Sequence, residues 1–488
     1  MLGFVDNVLE QRNVNRELLK EIKVPKLDWE HLDEVAKKFV MNVIIKKQYK
    51  QIGILYDTDV DGLFSGFTIE DFLRRTTIPK EKIHRYMNQM KNHGATEEMV
   101  AWVLKEDIDT LFIVDAGSSD VTYLHEQLPH VNVIILDHHP YTKSEIPENI
   151  ELLNVSDYDH LPALSGCGVV YRFVEIMGNM LNIDTEMYET YVGMTVLSDI
   201  CSMLEPENRY YVRQAYANYQ SNGFLRAFGF FGSYKSFFSY QIIPYLNALI
   251  RCGETDWAMT IVNNMDDFRV TSKVVEDSKR IKAKQANYVK QVLASGQVKM
   301  ADGCVVHIRH DHKELKPMNG LLGNMLLGEY DCSALVLTLD KETKTWGGSF
   351  RGKNFSNDLL QQWGFTCAGH DKACGAVIDH EGLLNFLTNF KLIAEEPKPS
   401  DIVADIEALT YDDFMDIAQF NEMANGDLET ILVELTNEPS EYHLIPSNKR
   451  DYYRIGNNKI VDFTFEPLID NVKVEPSLDK TGYQLIRN

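Results

Sequence analysis

Three apolar runs in the first third of the chain lead into the same residue. QIGILYD (51–57), TLFIVDA (110–116) and VNVIILD (131–137) each carry a buried-strand pattern up to an aspartate, Asp57, Asp115 and Asp137. A fourth run, ELLNV at 151–155, follows, and helical patterns fill the intervals. Strands alternating with helices are the sequence form of βαβ units and of a mostly parallel sheet. Residues leaving the carboxyl ends of such strands meet along one edge, the edge where open α/β sheets bind ligands. That edge is where chemistry is expected.

At 488 residues the chain is too long for one ordinary core, and two or three domains are expected. Residues 1–48 read as an N-terminal helical extension ending in the basic KKQYK at 46–50. Residues 49–270 hold the strand runs and then, from about 164, a mainly helical stretch. Residues 271–300 read as a connecting helix carrying Lys279, Arg280, Lys282, Lys284 and Lys290. These form either a solvated helix face or a basic face that follows a phosphate backbone. Strands return at 304–310, 333–340, 343–350 and 374–379, with helical stretches between or after them, marking a smaller domain over 301–396. PKPSD at 397–401 reads as a linker. Residues 401–488 form a strongly acidic C-terminal module, with 7 basic against 18 acidic residues. The fold class that follows is α/β: a mostly parallel-sheet domain joined by a long helix to a smaller α/β domain, plus a small C-terminal module.

A net charge of -23 argues against a protein that coats nucleic acid nonspecifically. Almost half of that deficit lies in the C-terminal module, so a local basic groove remains open to the main body. The seven cysteines are scattered and form no CxxC pair, which fits reduced thiols and argues against a zinc ribbon. No apolar run approaches the ~20 residues of a membrane span. With no signal-peptide core at the N-terminus, cytoplasmic residence and no membrane association are expected.

YDTDVDG sets Asp57, Asp59 and Asp61 on alternate positions directly after a strand. Carboxylates packed so closely repel one another unless a cation neutralises them. The triplet has the look of a calcium loop, but Thr68 stands where that loop needs glutamate; a solvated acidic turn is the other reading. Asp115 in FIVDAGSSD either serves a site or caps the next helix. LDHHPY adds Asp137, His138 and His139, and TVLSDICSM places Asp199 in an otherwise apolar helix. Together these residues offer oxygen and imidazole donors without thiolate, a set that suits manganese or magnesium better than structural zinc.

The ordered set YDTDVDG, VDAGSSD, LDHHPY and LSDICSM resembles the four motifs of the DHH phosphoesterase superfamily, and in detail its RecJ-type single-strand exonucleases. Leu55 occupies a place where many superfamily members have histidine, a variation seen among RecJ-type enzymes. ALSGCGVVYRF (163–173) is similar to the glycine-rich helix start that follows the DHH motif in RecJ proteins. PYLNALIRCG (244–253) is similar to their PR-x-NA-x-GR segment, with Asn247, Ala248 and Arg251 matching and Tyr245 replacing the first arginine. WGGSFRG (346–352) and CAGHDKACGAVI (367–378) resemble the DHH-associated domain and its GGH-x-x-A-A-G hallmark, from which Ala368 and Cys374 depart.

The resemblance implies two divalent cations, manganese or magnesium, bound by Asp59, Asp61, Asp115, His138 and Asp199, with Asp57 a ligand or water-holder and Asp115 the bridge. It implies Asp137 orienting a histidine and His139 reaching the scissile phosphate. Ser349, Arg351, Gly369, His370, Asn247 and Arg251 would contact substrate. The implied activity is two-metal phosphodiester hydrolysis, taking nucleotides from the 5′ end of single-stranded DNA. Two other readings stay open: a phosphodiesterase for nanoRNA, bisphosphorylated nucleotides or cyclic dinucleotides, and a catalytically inactive RecJ-like scaffold. The acidic C-terminal module is expected to be a reduced oligonucleotide-binding-like barrel or a docking site for a protein partner.

Overall fold

The computed structural model describes residues 3–20, 28–88, 93–230, 233–264, 267–310, 318–370, 372–392, 401–425, 428–446, 452–455, 457–462, 472–479 and 482–487. Strands β1 (Ile52–Tyr56), β2 (Ile83–Met87), β3 (Thr110–Val114), β4 (Asn132–Asp137) and β5 (Ile150–Asn154) form one parallel sheet in the order β2-β1-β3-β4-β5. The β1 and β3 strands are buried along their whole length, as a sheet covered on both faces requires. Tyr56 pairs with Val114, and Val114 with Leu136, so three adjacent strands end at one level. Asp57, Asp115 and Asp137 therefore leave the sheet side by side.

β2 is the strand the apolar pattern misses. Its IHRYM sequence has no apolar alternation because it is an edge strand, and all but its first residue are only partly buried. The apolar cluster around this sheet reaches both ends of the chain. Trp29, Leu32 and Phe39 near the N-terminus and Phe414, Ile417 and Leu485 near the C-terminus share it with Tyr56, Phe64 and Phe173. Arg12 donates to the carbonyls of Glu429 and Thr430, and Arg16 pairs with Asp6 and Asp416.

The helix Phe268–Ser295 leads into a second sheet. Its strands are β6 (Gln297–Ala301), β7 (Cys304–Arg309), β8 (Ser333–Leu339), β9 (Thr345–Arg351), β10 (Thr366–His370) and β11 (Ala373–Asp379), in the order β10-β11-β9-β8-β7-β6. Only β7 and β8 run parallel. β6 and β10 go beyond the strands expected from sequence: β6 is largely exposed, and β10 passes through the irregular CAGH segment. Among the described residues, a seven-stranded sheet and the helix Tyr411–Met423 make up the C-terminal module. The expected linker lies, apart from Asp401, outside the described residues.

Candidate metal centre

Each acid of the centre arrives on a different local structure. Asp57 follows β1 directly, and its side chain is almost wholly buried. Asp59 caps the helix Val60–Arg74, accepting the Gly62 N–H at 3.1 Å. Asp61, in the first turn of that helix, is fully buried. Its oxygens accept the N–H groups of Gly166 at 2.7 Å and Cys167 at 2.8 Å, at the start of the helix Gly166–Leu181. A helix N-terminus is a favourable place for a carboxylate. SGCG is therefore the cradle that holds the YDTDVDG loop.

Asp115 sits at φ +60°, the left-handed region that a non-glycine residue seldom occupies. Its N–H still donates to the Leu136 carbonyl at 2.8 Å, so the chain turns sharply while staying tied to β4. Gly166 packs against it: a Cβ there would fall 2.3 Å from Asp115 Oδ1. The helix Glu189–Ser198 ends just before Asp199. Asp199 is thus the residue that closes the helix rather than one inside it, and Ile200 follows at φ +54°. This left-handed turn lets an acid leave an apolar helix.

His138 is buried, with Nε2 3.2 Å from Asp115 Oδ1, 3.2 Å from Asp199 Oδ2 and 3.9 Å from Asp61 Oδ2. Asp137 points the other way. Its Oδ1 accepts from the backbone N–H of His138 at 2.7 Å and of His139 at 3.2 Å, and lies 2.9 Å from His139 Nδ1; its Oδ2 accepts the Ser118 N–H at 3.1 Å. Of the two adjacent histidines, one joins the acid cluster and the other, about one-third exposed, is held by Asp137 at the rim.

Donor atoms that lie within 4.8 Å of one another fall into overlapping sets. One is Asp57, Asp59 and Asp115; a second is Asp61, Asp115, His138 and Asp199; a third joins Asp115 to both histidines. Asp115 belongs to all three. The electrostatics match a place built for cations. Burial, then Asp199, push the Asp61 carboxyl well above its usual range; burial and Asp61 do the same to Asp115, and burial with Asp199 raises Asp59. Burial opposes the charge on His138, yet Asp115 and Asp199 outweigh it and raise its pKa. Burial also opposes the charge on Asp137, but the bond from His139 prevails and its pKa falls. Among the described residues, Asp57 Oδ1 is buried and finds no hydrogen-bond donor. Closely packed carboxylates with an unused buried oxygen fit divalent metal.

Two arginines, one on a helix and one on the second sheet, lie near this cluster or near each other. Arg251 ends the helix Ile243–Arg251, with Asn247 one turn earlier, and Arg251 Nε and Asn247 Oδ1 are both buried without a hydrogen-bond partner among the described residues. The Arg251 charge is opposed by burial and favoured by Asp59. Arg351, at the end of β9, has its pKa lowered to about 10 by burial and by Arg251, so a helix-borne and a strand-borne guanidinium lie near each other. Gly320 makes room for it: a Cβ there would lie 2.2 Å from Arg351 Nη2. Arg351 pairs with Ala373, and Ala373 with His370; Ser349 pairs with Gly375. Small residues thus flank Arg351 and Ser349 on the neighbouring strand. Gly369 has φ +126°, a conformation that favours glycine. The side chain of His370 lies outside the described residues.

One residue of this neighbourhood is absent from the sequence reading. His93, between β2 and the helix Glu97–Lys105, places Nδ1 2.6 Å from Asp57 Oδ2. A lone histidine in NHGAT, outside any strand pattern, carries no periodic signal; only the adjacent His-Gly pair before the capping Thr96 marks it as part of a tight turn.

Residues 51–198 match the model of the DHH family, N-terminal domain. Residues 51–198, with the acid-and-imidazole edge they carry, are thus similar to the N-terminal domain of the DHH family. The overall fold of the chain is of the RecJ type. RecJ from Thermus thermophilus in complex with manganese superimposes with a TM-score of 0.72 at 18% identity, over 98% of this chain and 74% of that one. The magnesium complex from the same organism gives 0.66 at 16% identity, over 98% and 73%. An exonuclease RecJ bound to manganese gives 0.58 at 18% identity, over 76% and 97%. No curated protein matches the sequence. Among the described residues, no helix is long and apolar enough to cross a membrane.

Proposed function

We propose that this chain is a two-metal phosphodiester hydrolase that releases nucleotides from the 5′ end of single-stranded DNA. The observation that carries the reading is the sharing of Asp115 between two adjacent donor sets at the carboxyl edge of the parallel sheet. Asp57, Asp59 and Asp115 would hold one cation; Asp61, Asp115, His138 and Asp199 would hold the other. Bound there, two divalent cations would supply a lowered pKa to an attacking water and charge stabilisation to the scissile phosphate. Manganese or magnesium suits a set dominated by carboxylate oxygens.

The protein's own groups do the rest. Asp61, anchored by the Gly166–Leu181 helix start, keeps the first loop in register with Asp115. Asp137 holds His139 by Nδ1, which directs the opposite ring nitrogen away from Asp137 and toward a phosphate or the departing 3′-oxygen. Arg251 and Arg351 lie close enough to repel each other, and a terminal phosphate between them would relieve both. Asn247, Ser349, Gly369 and His370 complete the substrate surface, Gly369 and Ser349 by allowing close backbone approach. Residues 49–270 would be the catalytic module, 301–396 the substrate module, and 401–488 a support for longer strands or a docking site for a protein partner.

The RecJ fold spanning nearly the whole chain supports a nucleic-acid strand over a very short substrate, and a manganese-bound exonuclease is among the structural relatives. The test offers purified protein with manganese end-labelled single- and double-stranded DNA, RNA, dinucleotides and cyclic dinucleotides in parallel. Mononucleotides released from the 5′ end of long single-stranded DNA, and not by Asp199→Ala, are the expected result. Preference for dinucleotides, or failure on strands of more than a few nucleotides, would overturn it.

A further inference from the structure

The two principal donor sets are unequal. Asp61, Asp115 and Asp199 share an imidazole, His138, whereas Asp57, Asp59 and Asp115 offer only carboxylate oxygen. Beside the second set, His93 approaches Asp57 from the rim. Its Nδ1 lies 2.6 Å from Asp57 Oδ2, while Asp57 Oδ1 is buried and finds no hydrogen-bond donor among the described residues. A carboxylate gripped by one oxygen has its other oxygen aimed, and here the free oxygen belongs to the side chain that faces Asp59 and Asp115.

The turn that presents His93 is itself fixed. The Asn88 side-chain amide donates to the Gly94 carbonyl at 2.8 Å, the Thr96 hydroxyl donates to Asn88 Oδ1 at 3.0 Å, and the Ala95 N–H donates to Asp120 Oδ2 at 2.8 Å. Gly94 has φ +69°, and a Cβ there would lie 2.1 Å from Asp120 Oδ2, so only glycine fits. None of these anchors touches the metal-facing oxygens. They hold an imidazole that is about half exposed against a carboxylate that is almost fully buried.

We infer that His93 is a positioning residue for the all-oxygen cation site, donating Nδ1–H to Asp57 Oδ2 and so directing Asp57 Oδ1 into the centre. The inference rests on the two-cation reading above. It makes His93 the counterpart of Asp137: on one side of the centre an acid orients a histidine, and on the other a histidine orients an acid. Partners that orient a ligand in this way set metal affinity by about 10- to 100-fold.

Manganese alone, titrated calorimetrically into the full chain, tests it. The parent should bind two ions. His93→Ala should weaken one site by about 10- to 100-fold and leave the other unchanged, with the metal-free melting temperature unmoved. His93→Asn, whose amide nitrogen can take the place of Nδ1, should restore most of the lost affinity. Two sites of parental affinity in His93→Ala, or an equal loss at both, would overturn the role of His93 and leave the centre standing. A parent that binds no manganese would overturn the centre itself, and His93's role with it.

Discussion

The parallel sheet carries clustered acids and the six-stranded sheet carries a buried arginine, and the two place their charges by different means. The parallel sheet gathers acids at strand ends. Tyr56, Val114 and Leu136 stand in register, so the residues that follow converge whatever the intervening helices do. The second sheet sets Arg351 in the strand itself, beside Ala373, and Gly320 and Gly323 clear space around it. The first arrangement concentrates charge and needs a cation to be comfortable. The second leaves a guanidinium short of solvent and needs an anion. On the proposed function, chemistry that depends on distances of a few tenths of an ångström would sit where the backbone converges, and recognition on a surface that strand register can vary.

The comparison breaks most sharply at Asp115, the one acid in all three donor sets. Asp115→Asn removes a charge from both cation sites and should lower kcat by at least about 10³-fold, equivalent to about 4 kcal/mol of transition-state stabilisation. The loss should be equal on a DNA strand and on a small chromogenic phosphodiester. A loss confined to DNA would place Asp115 in recognition instead. Gly166→Ala probes the same site without altering a ligand. The new Cβ would meet Asp115 Oδ1 at 2.3 Å and must displace it, and a shift of about 1 Å at a reacting centre costs about 10²-fold. Near-parental turnover in this variant would show that Asp115 has slack, against the tight packing described.

Most of the acid cluster was legible from sequence, because strand ends in a parallel sheet are a one-dimensional signal: an apolar run, then a residue that does not belong in it. The glycine-rich SGCG was legible as a helix start, but its purpose, holding both oxygens of Asp61, depends on residues more than a hundred positions apart. Asp199 lies with the other acids but at the end of its helix rather than inside it, since a left-handed Ile200 ending a helix has no sequence signature. His93 was not legible at all. Its contact with Asp57 comes from a turn fixed by Asn88 and Asp120, residues with no pattern linking them to Asp57. The edge strands β2 and β6 were missed because a strand with a solvated face needs no apolar run. The C-terminal module read as separable by composition, yet Phe414, Ile417 and Leu485 belong to the first core.

Arg351 sharpens the comparison from the recognition side. Arg351→Ala should raise KM for 5′-phosphorylated single strands by about 10- to 100-fold, the worth of one charged hydrogen bond at about 1.5–3 kcal/mol. Turnover of the small phosphodiester should hold, because no donor set of the centre includes this residue. Equal losses on both substrates would show that the second sheet takes part in the chemistry and that the division of labour is false.

The smallest effect concerns how the acid edge responds to pH without metal. Asp61 and Asp115 have folded-state pKa values raised by burial and by neighbouring acids. The folded chain therefore keeps protons that the unfolded chain has already released, and its stability falls as pH rises from the ordinary carboxylate range, about 4, through the raised values. His138 works in the same direction. Its folded pKa is raised, so its contribution is complete below about 6.5 and is lost as pH rises through the folded value. Metal-free protein should thus melt a few degrees lower at pH 8 than at pH 6 if these groups dominate. Manganese reverses the sign by replacing the protons with a charge that favours ionised ligands, so its stabilisation should be larger at pH 8. Thermal melts with and without manganese at both pH values measure the two slopes directly. A manganese shift larger at pH 6 would mean that the buried acids are not what the cation neutralises.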